Sequence, residues 1–100
     1  MTGRVGEYLH YLALEKNASP NTIASYRRDL ERYMRFLKTE GIATPDGITV
    51  DVTARFLQSL QTDGLAPRSV TRSLSALRGF HRFLLADGIV AADPTETLES

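Results

Sequence analysis

Apolar residues recur along this chain three or four positions apart. No segment alternates with the period of two, over enough length, that a strand needs. Four stripes stand out. Val5, Tyr8, Leu9, Leu12 and Ala13 predict a short amphipathic helix from Val5 to about Asn17. Ile23, Tyr26, Leu30, Tyr33 and Leu37, in steps of 3, 4, 3 and 4, predict a second helix ending near Glu40. Val52, Phe56, Leu57 and Leu60 predict a third over about Val50–Thr62. Val70, Leu74, Leu77 and Leu84, widened by Phe80, predict a fourth from near Pro67 to about Ala86. The punctuation agrees with these limits. Ser19 supplies a capping oxygen and Pro20 is pre-set for a first helical position, and Thr49 can cap the third helix. Gly41, Gly64 and Gly88 follow the helix ends, where a left-handed residue closes the last turn. Residues 41–49, with Gly41, Pro45, Asp46 and Gly47, read as a loop, and Asp93-Pro94-Thr95-Glu96 can open one further turn. The expected fold is all-α: a bundle of four main helices with short connections and a short C-terminal turn.

One hundred residues make one domain, and 42% hydrophobic with 24% charged residues is globular composition. The bundle is expected over about residues 5–90. Residues 91–100, with Leu98 as their one large apolar side chain, read as the start of a linker. Cysteine is absent, so disulfides, thiolate nucleophiles and cysteine-ligated zinc are excluded, and a reducing compartment fits best. No apolar run approaches the ~20 residues that cross a bilayer. The N-terminus also lacks the apolar stretch of a secretory signal. The expected location is the cytoplasm, with no membrane partner.

Charge changes the picture more than composition does. Lys and Arg total 12 and Asp and Glu total 12, a net of zero that argues against a nucleic-acid partner. The distribution argues the other way. Residues 19–40 and 67–87 carry nine basic side chains against four acids, net +5, and the remainder carries −5. Opposite the apolar stripe of the second helix lie Asn21, Ser25, Arg28, Arg32 and Arg35. Opposite that of the fourth lie Arg68, Thr71, Arg72, Ser75, Gly79 and Arg82, with Arg78 at the edge. Neither row contains an acid, whereas ordinary solvated helices mix signs. Arginine bonds phosphate or guanine edges through a planar fork, and small hydroxyls and amides bond at close range. Gly79 and Ser75 would let a helix axis approach closely. Helix N-termini near Asn21-Thr22 and Arg68-Ser69 add amides and the positive end of the dipole. A merely solubilising surface remains the alternative.

Catalytic chemistry is poorly represented. His10 and His81 are the only histidines and stand in no metal-binding spacing. His81 falls on the inward sector of its helix and reads as a hydrogen-bonded boundary residue. Tyr26 and Tyr33 lie on the apolar stripe and read as packing residues. Phe36 and Phe83, outside the main stripes, are expected against neighbouring helices rather than bases. Asp29 reads as a local ion-pair partner or a brace to another helix. No phosphate-cradling glycine loop, paired carboxylates or Ser/His/Asp set can be assembled, so no active site, cofactor, metal or small-molecule substrate is expected.

Several blocks resemble one family. Leu14-Glu15-Lys16-Asn17, Ser19-Pro20-Asn21-Thr22 and Tyr26-Arg27-Arg28-Asp29-Leu30 look like the start of a Xer-type tyrosine recombinase of the phage integrase family. So do Leu65-Ala66-Pro67-Arg68-Ser69-Val70, Leu74-Ser75-Ala76-Leu77-Arg78 with Phe80, Asp87-Gly88-Ile89 and Asp93-Pro94. The resemblance covers about residues 5–98. From Glu15 to Leu30 it leans towards the XerD branch over XerC. It implies an N-terminal, SAM-like core-binding domain, half of a clamp on double-stranded DNA, whose second and fourth helices cross in the major groove. By position it implies helix-two contacts from Asn21, Thr22, Ser25 and Arg28 and helix-four contacts from Arg68, Ser69, Arg72 and Ser75. Arg32 joins them from the charge pattern. The family's catalytic residues, including its nucleophilic tyrosine, belong to a further domain. Tyr8, Tyr11, Tyr26 and Tyr33 are therefore not that nucleophile, and this chain is not expected to be an enzyme by itself. The resemblance also implies other recombinase protomers as partners and a bacterial or archaeal cytoplasm, at the nucleoid when bound. A helical protein-interaction domain with no DNA role is the competing expectation.

Overall fold

A computed structural model describes residues 1–98. Four helices follow in chain order: α1 (Thr2–Glu15), α2 (Pro20–Thr39), α3 (Val50–Thr62) and α4 (Pro67–Ala86). No strand occurs among the described residues. α1 packs on α2, and α4 packs against all three other helices, so α4 is the central element.

The apolar stripes meet as expected. Leu9, Leu30, Tyr33, Leu37, Phe56, Leu60, Leu77, Phe80 and Leu84 are all at most 2% exposed. Each such side chain stabilises the fold by about 1.5–3 kcal/mol through burial. Phe36 packs on Phe56 of α3 with ring centroids 5.4 Å apart, and Phe83 packs on Tyr8 and Tyr11 of α1 at 5.6 and 5.4 Å. Both aromatics that fell outside the main stripes therefore meet a neighbouring helix. Ala13, read into the first stripe, is exposed.

The caps also agree. The Thr22 amide donates to Ser19 Oγ at 3.1 Å, and the Val52 amide donates to Thr49 Oγ1 at 3.2 Å. Gly41, Gly64 and Gly88 take positive φ. Each lets the next amide reach back to the helix, as when Ile42 N–H donates to Leu37 O at 2.9 Å.

Three details differ from the pattern. α1 begins at Thr2, ahead of Val5, because Met1 O accepts from the Arg4 amide and Arg4 pairs with Glu7 at 3.0 Å. Gly3 and Gly6 hid this turn, since glycine is a poor helix former. Pro45–Gly47 is a single 3-10 turn inside the expected loop. The segment from residue 91 onward is docked through Leu98. Residues 94–97 form a turn in which Asp93 Oδ1 accepts from the Thr95 amide and hydroxyl, Thr53 donates to Pro94 O at 3.3 Å, and Arg78 donates to Leu98 O. The last two residues of the expected linker, 99–100, lie outside the described residues.

Two polar links cross from α2 to α4 inside the bundle. The Tyr33 hydroxyl and His81 Nε2 share a hydrogen bond of 2.8 Å. Burial pushes the His81 imidazole down to about 4, so it is neutral near pH 7, and burial pushes the Tyr33 hydroxyl well above its ordinary range. His81 Nδ1 is buried with no partner among the described residues. The second link is at the candidate site.

Candidate nucleic-acid interface

α2 and α4 are joined by a buried carboxylate. Asp29, 3% exposed, sits one position past Arg28 and turns into the seam between the helices. Arg72 Nε donates to its Oδ2 at 2.8 Å, Arg72 Nη2 donates to Oδ1 at 3.0 Å, and Ser73 Oγ donates to Oδ1 at 3.0 Å. Three donors satisfy a carboxylate that would otherwise be costly to bury. Asp29 in turn raises the Arg72 guanidinium above its ordinary range through this hydrogen bond.

The sequence-derived residues differ in exposure and in partners. Asn21 and Thr22 are exposed in the first turn of α2, and Ser19 Oγ donates to Thr22 Oγ1 at 3.0 Å. One turn on, Ser25 is half-buried and accepts from exposed Arg28 at 3.4 Å. Arg32 follows, half-buried. On α4, Arg68 and Ser75 are exposed and Ser69 is half-buried, on either side of Arg72 along the helix. Arg72 is the exception, because it is committed to Asp29. The α4 row looked free of acids within its own helix, and packing brought the acid from α2.

The two ends of the interface are capped differently. Ser19 Oγ accepts from the Thr22 amide at the start of α2, whereas at the start of α4 Ala66 offers only its backbone oxygen, which accepts from the Ser69 and Val70 amides. Arg55 of α3 pairs with Glu40 and, at 2.9 Å, with Asp51. Among the described residues Arg27, Arg28, Arg32, Arg35, Arg68 and Arg82 meet no carboxylate. The face is a cluster of unneutralised guanidiniums, hydroxyls and one amide, suited to a polyanion.

The C-terminal half of the α4 row is only partly free: Arg82 is exposed, but its neighbours are engaged. Arg78 turns to Leu98 O. Gly79 is covered by Tyr8: a β-carbon added there would run into the Tyr8 hydroxyl and lie 3.0 Å from Cζ. Its missing side chain admits α1. The close approach that its small size allows is therefore to Tyr8, and the open face of α4 is concentrated towards its N-terminal half. Sequence reasoning missed Ser73, whose signal was a hydroxyl on the buried side of α4 between Arg72 and Leu74. No cluster of three or more His, Cys, Asp or Glu exists among the described residues, and no described helix is long and apolar enough to cross a membrane.

Residues 5–88 match the model of the phage integrase, N-terminal SAM-like domain. The chain belongs to that family. Among curated relatives, this SAM-like domain is 42% identical over 90 residues to tyrosine recombinase XerC of Oceanobacillus iheyensis, covering 90% of the chain and 30% of the relative. It is 40% identical to tyrosine recombinase XerD of Chlorobaculum tepidum, covering 91% of the chain and 30% of the relative. It is 39% identical to tyrosine recombinase XerC of Roseiflexus castenholzii, covering 100% of the chain and 32% of the relative. The SAM-like domain thus spans about a third of these relatives' length. The XerC and XerD branches lie at near-equal identity, so these values do not favour XerD as the short blocks did.

Proposed function

We propose that this domain is the double-stranded-DNA-binding module of a site-specific tyrosine recombinase, presenting α2 and the N-terminal half of α4 to a recombination site. The observation that carries the reading is the face of Arg28, Arg32, Arg35 and Arg68, unpaired with any described carboxylate, on two helices bolted together through Asp29 and Arg72. Arginines at this density attract phosphates of either strand. Asn21, Thr22, Ser25, Ser69 and Ser75 supply short-range donors and acceptors for phosphate oxygens or base edges. Pro67 has no amide hydrogen and the Ser69 amide already bonds Ala66 O, so the start of α4 adds the Arg68 amide alone. The reading assigns these residues binding and positioning and no catalytic step. Strand cleavage belongs to residues elsewhere in a longer recombinase acting with other protomers, in the cytoplasm and at the nucleoid when bound.

The test is a fluorescence-anisotropy titration of a mixed-sequence 30-base-pair duplex from 50 to 200 mM salt. About five neutralised phosphates give a slope of log K against log salt near −4 to −5, and each lost contact flattens it by about 0.9. Arg28→Ala with Arg68→Ala should flatten the slope by about 2 with the helical circular dichroism unchanged. Equal binding by wild type and double variant refutes the surface. A helical protein-interaction domain has one observation in its favour, the partly open aromatic groove of Tyr11 and Phe83 between α1 and α4. Absence of duplex binding at 50 mM salt would select it.

A further inference from the structure

We propose that Arg72 reads a base edge, the O6 and N7 of a guanine in the major groove, and that Asp29 is the positioning residue that fixes it for that task. The inference rests on the DNA-binding reading above and sorts its arginines into two classes.

A phosphate contact that releases a counterion, and so shows in the salt slope, needs an unmatched positive charge. Arg28 and Arg68 meet that description, being exposed and without a carboxylate. Arg72 does not. Its charge is matched by Asp29 in a two-bond pair, so it adds little to long-range attraction and displaces few counterions. Its geometry is what sets it apart. The guanidinium is planar, with two donor forks at fixed angles. The Nε and Nη2 edge is held by Asp29, so the Nη1 and Nη2 edge faces away from the carboxylate. The side chain is 36% exposed, against 4% for Asp29, so that free edge reaches the surface. A fork of this shape matches guanine O6 and N7.

The support behind the fork is unusually complete. Asp29 cannot swing, because Ser73 Oγ binds the same oxygen that receives Nη2 and the carboxylate is buried in the seam of both helices. The ordering of Arg72 is therefore completed on folding and not demanded again at the DNA. Its place suits the role: it stands in the α2–α4 seam, between Arg68 one turn before and Ser75 nearly one turn after. A pair that served packing alone would be met as well by apolar side chains, which raises no need for an exposed fork.

The experiment compares wild type with Arg72→Lys and Asp29→Asn in two readouts, after circular dichroism shows each to be folded. The first is selection from a duplex library with a randomised 20-base-pair core. The second is the salt slope on the mixed-sequence 30-base-pair duplex. Wild type should enrich a guanine at one position, and both variants should lose that preference by about tenfold. Arg72→Lys should leave the salt slope unchanged, because lysine keeps the charge and loses only the fork. Asp29→Asn should steepen the slope by about 0.9, because it frees a charge while weakening selection. Retention of the guanine preference in Arg72→Lys overturns the proposal. So does the paired change Asp29→Asn with Arg72→Gln, which removes both charges together, flattening the slope as much as Arg28→Ala does, which would make Arg72 an ordinary phosphate contact. In both cases wild type still binds and Arg28→Ala still lowers the slope, so the DNA-binding reading survives. If wild type fails to bind the duplex at 50 mM salt, that reading falls and takes this inference with it.

Discussion

Gly79→Ala sets two ordinary effects against each other. In the interior of α4, alanine is a better helix former than glycine by up to about 1 kcal/mol, so propensity alone predicts a more stable protein. The tertiary structure predicts the reverse. The new β-carbon would run into the Tyr8 hydroxyl, with Tyr8 Cζ at 3.0 Å, so the tyrosine ring must shift. Tyr8 is 3% exposed and wedged among Phe80, Phe83 and Tyr11, with ring centroids 5.9, 5.6 and 6.5 Å away. Displacing it loosens two or three aromatic contacts worth about 0.5–1.5 kcal/mol each, in line with the 1–3 kcal/mol usual for overpacking. After the propensity gain, the net loss is about 1–2 kcal/mol, or about 5–15 °C in Tm for a domain of this size. Urea and thermal unfolding followed by circular dichroism measure it. Tyr8→Phe in the Gly79→Ala background removes the colliding oxygen but not Cζ. It should recover part of the loss, with a coupling above about 0.5 kcal/mol in the double-mutant cycle. A Tm that rises on Gly79→Ala, or a cycle with no coupling, refutes the packing of α1 on α4 described here.

Two further outcomes follow from the buried polar links. Arg72→Ala leaves the Asp29 carboxylate buried without a countercharge, with Ser73 as its one remaining donor, and should cost about 3–5 kcal/mol, whereas Asp29→Asn leaves a guanidinium that can hydrate and should cost about 1–2 kcal/mol; equal urea-derived losses would contradict that asymmetry. His81 titrates at about 4 instead of its ordinary 6.5, so below pH 6.5 the unfolded chain binds a proton that the folded chain refuses. Stability is therefore full above pH 6.5 and falls by about 3 kcal/mol as pH drops to 4, a portion of the urea-midpoint profile that His81→Gln should flatten.

Much of the fold was legible because helices advertise themselves locally. The i, i+3, i+4 stripe of α2, the Ser19 and Thr49 caps and the three terminating glycines are all short-range devices, and each sits where the spacing put it. The start of α1 was not legible, since Gly3 and Gly6 mask a turn that Met1 O and the Arg4–Glu7 pair complete. At the candidate site the arginine rows could be read from periodicity. Their partners could not. Arg72 and Asp29 are 43 positions apart, and no local rule connects them. Gly79 looked like a place for close approach, and it is one, but the approaching group is Tyr8 from 71 positions earlier in the chain, not a ligand.

By itself, then, the amino-acid order determined that this protein is four amphipathic helices with its positive charge gathered on the second and fourth. Periodicity, capping and charge placement are properties of neighbouring residues, and each helix carries them before it meets another. Only the tertiary structure decided which arginines stay free. Packing α4 on α2 placed a buried carboxylate under Arg72, and packing α1 on α4 covered Gly79. A buried carboxylate must find donors wherever the fold can supply them, and a missing β-carbon is filled by whichever helix comes closest. Neither outcome is written in the spacing of a single helix.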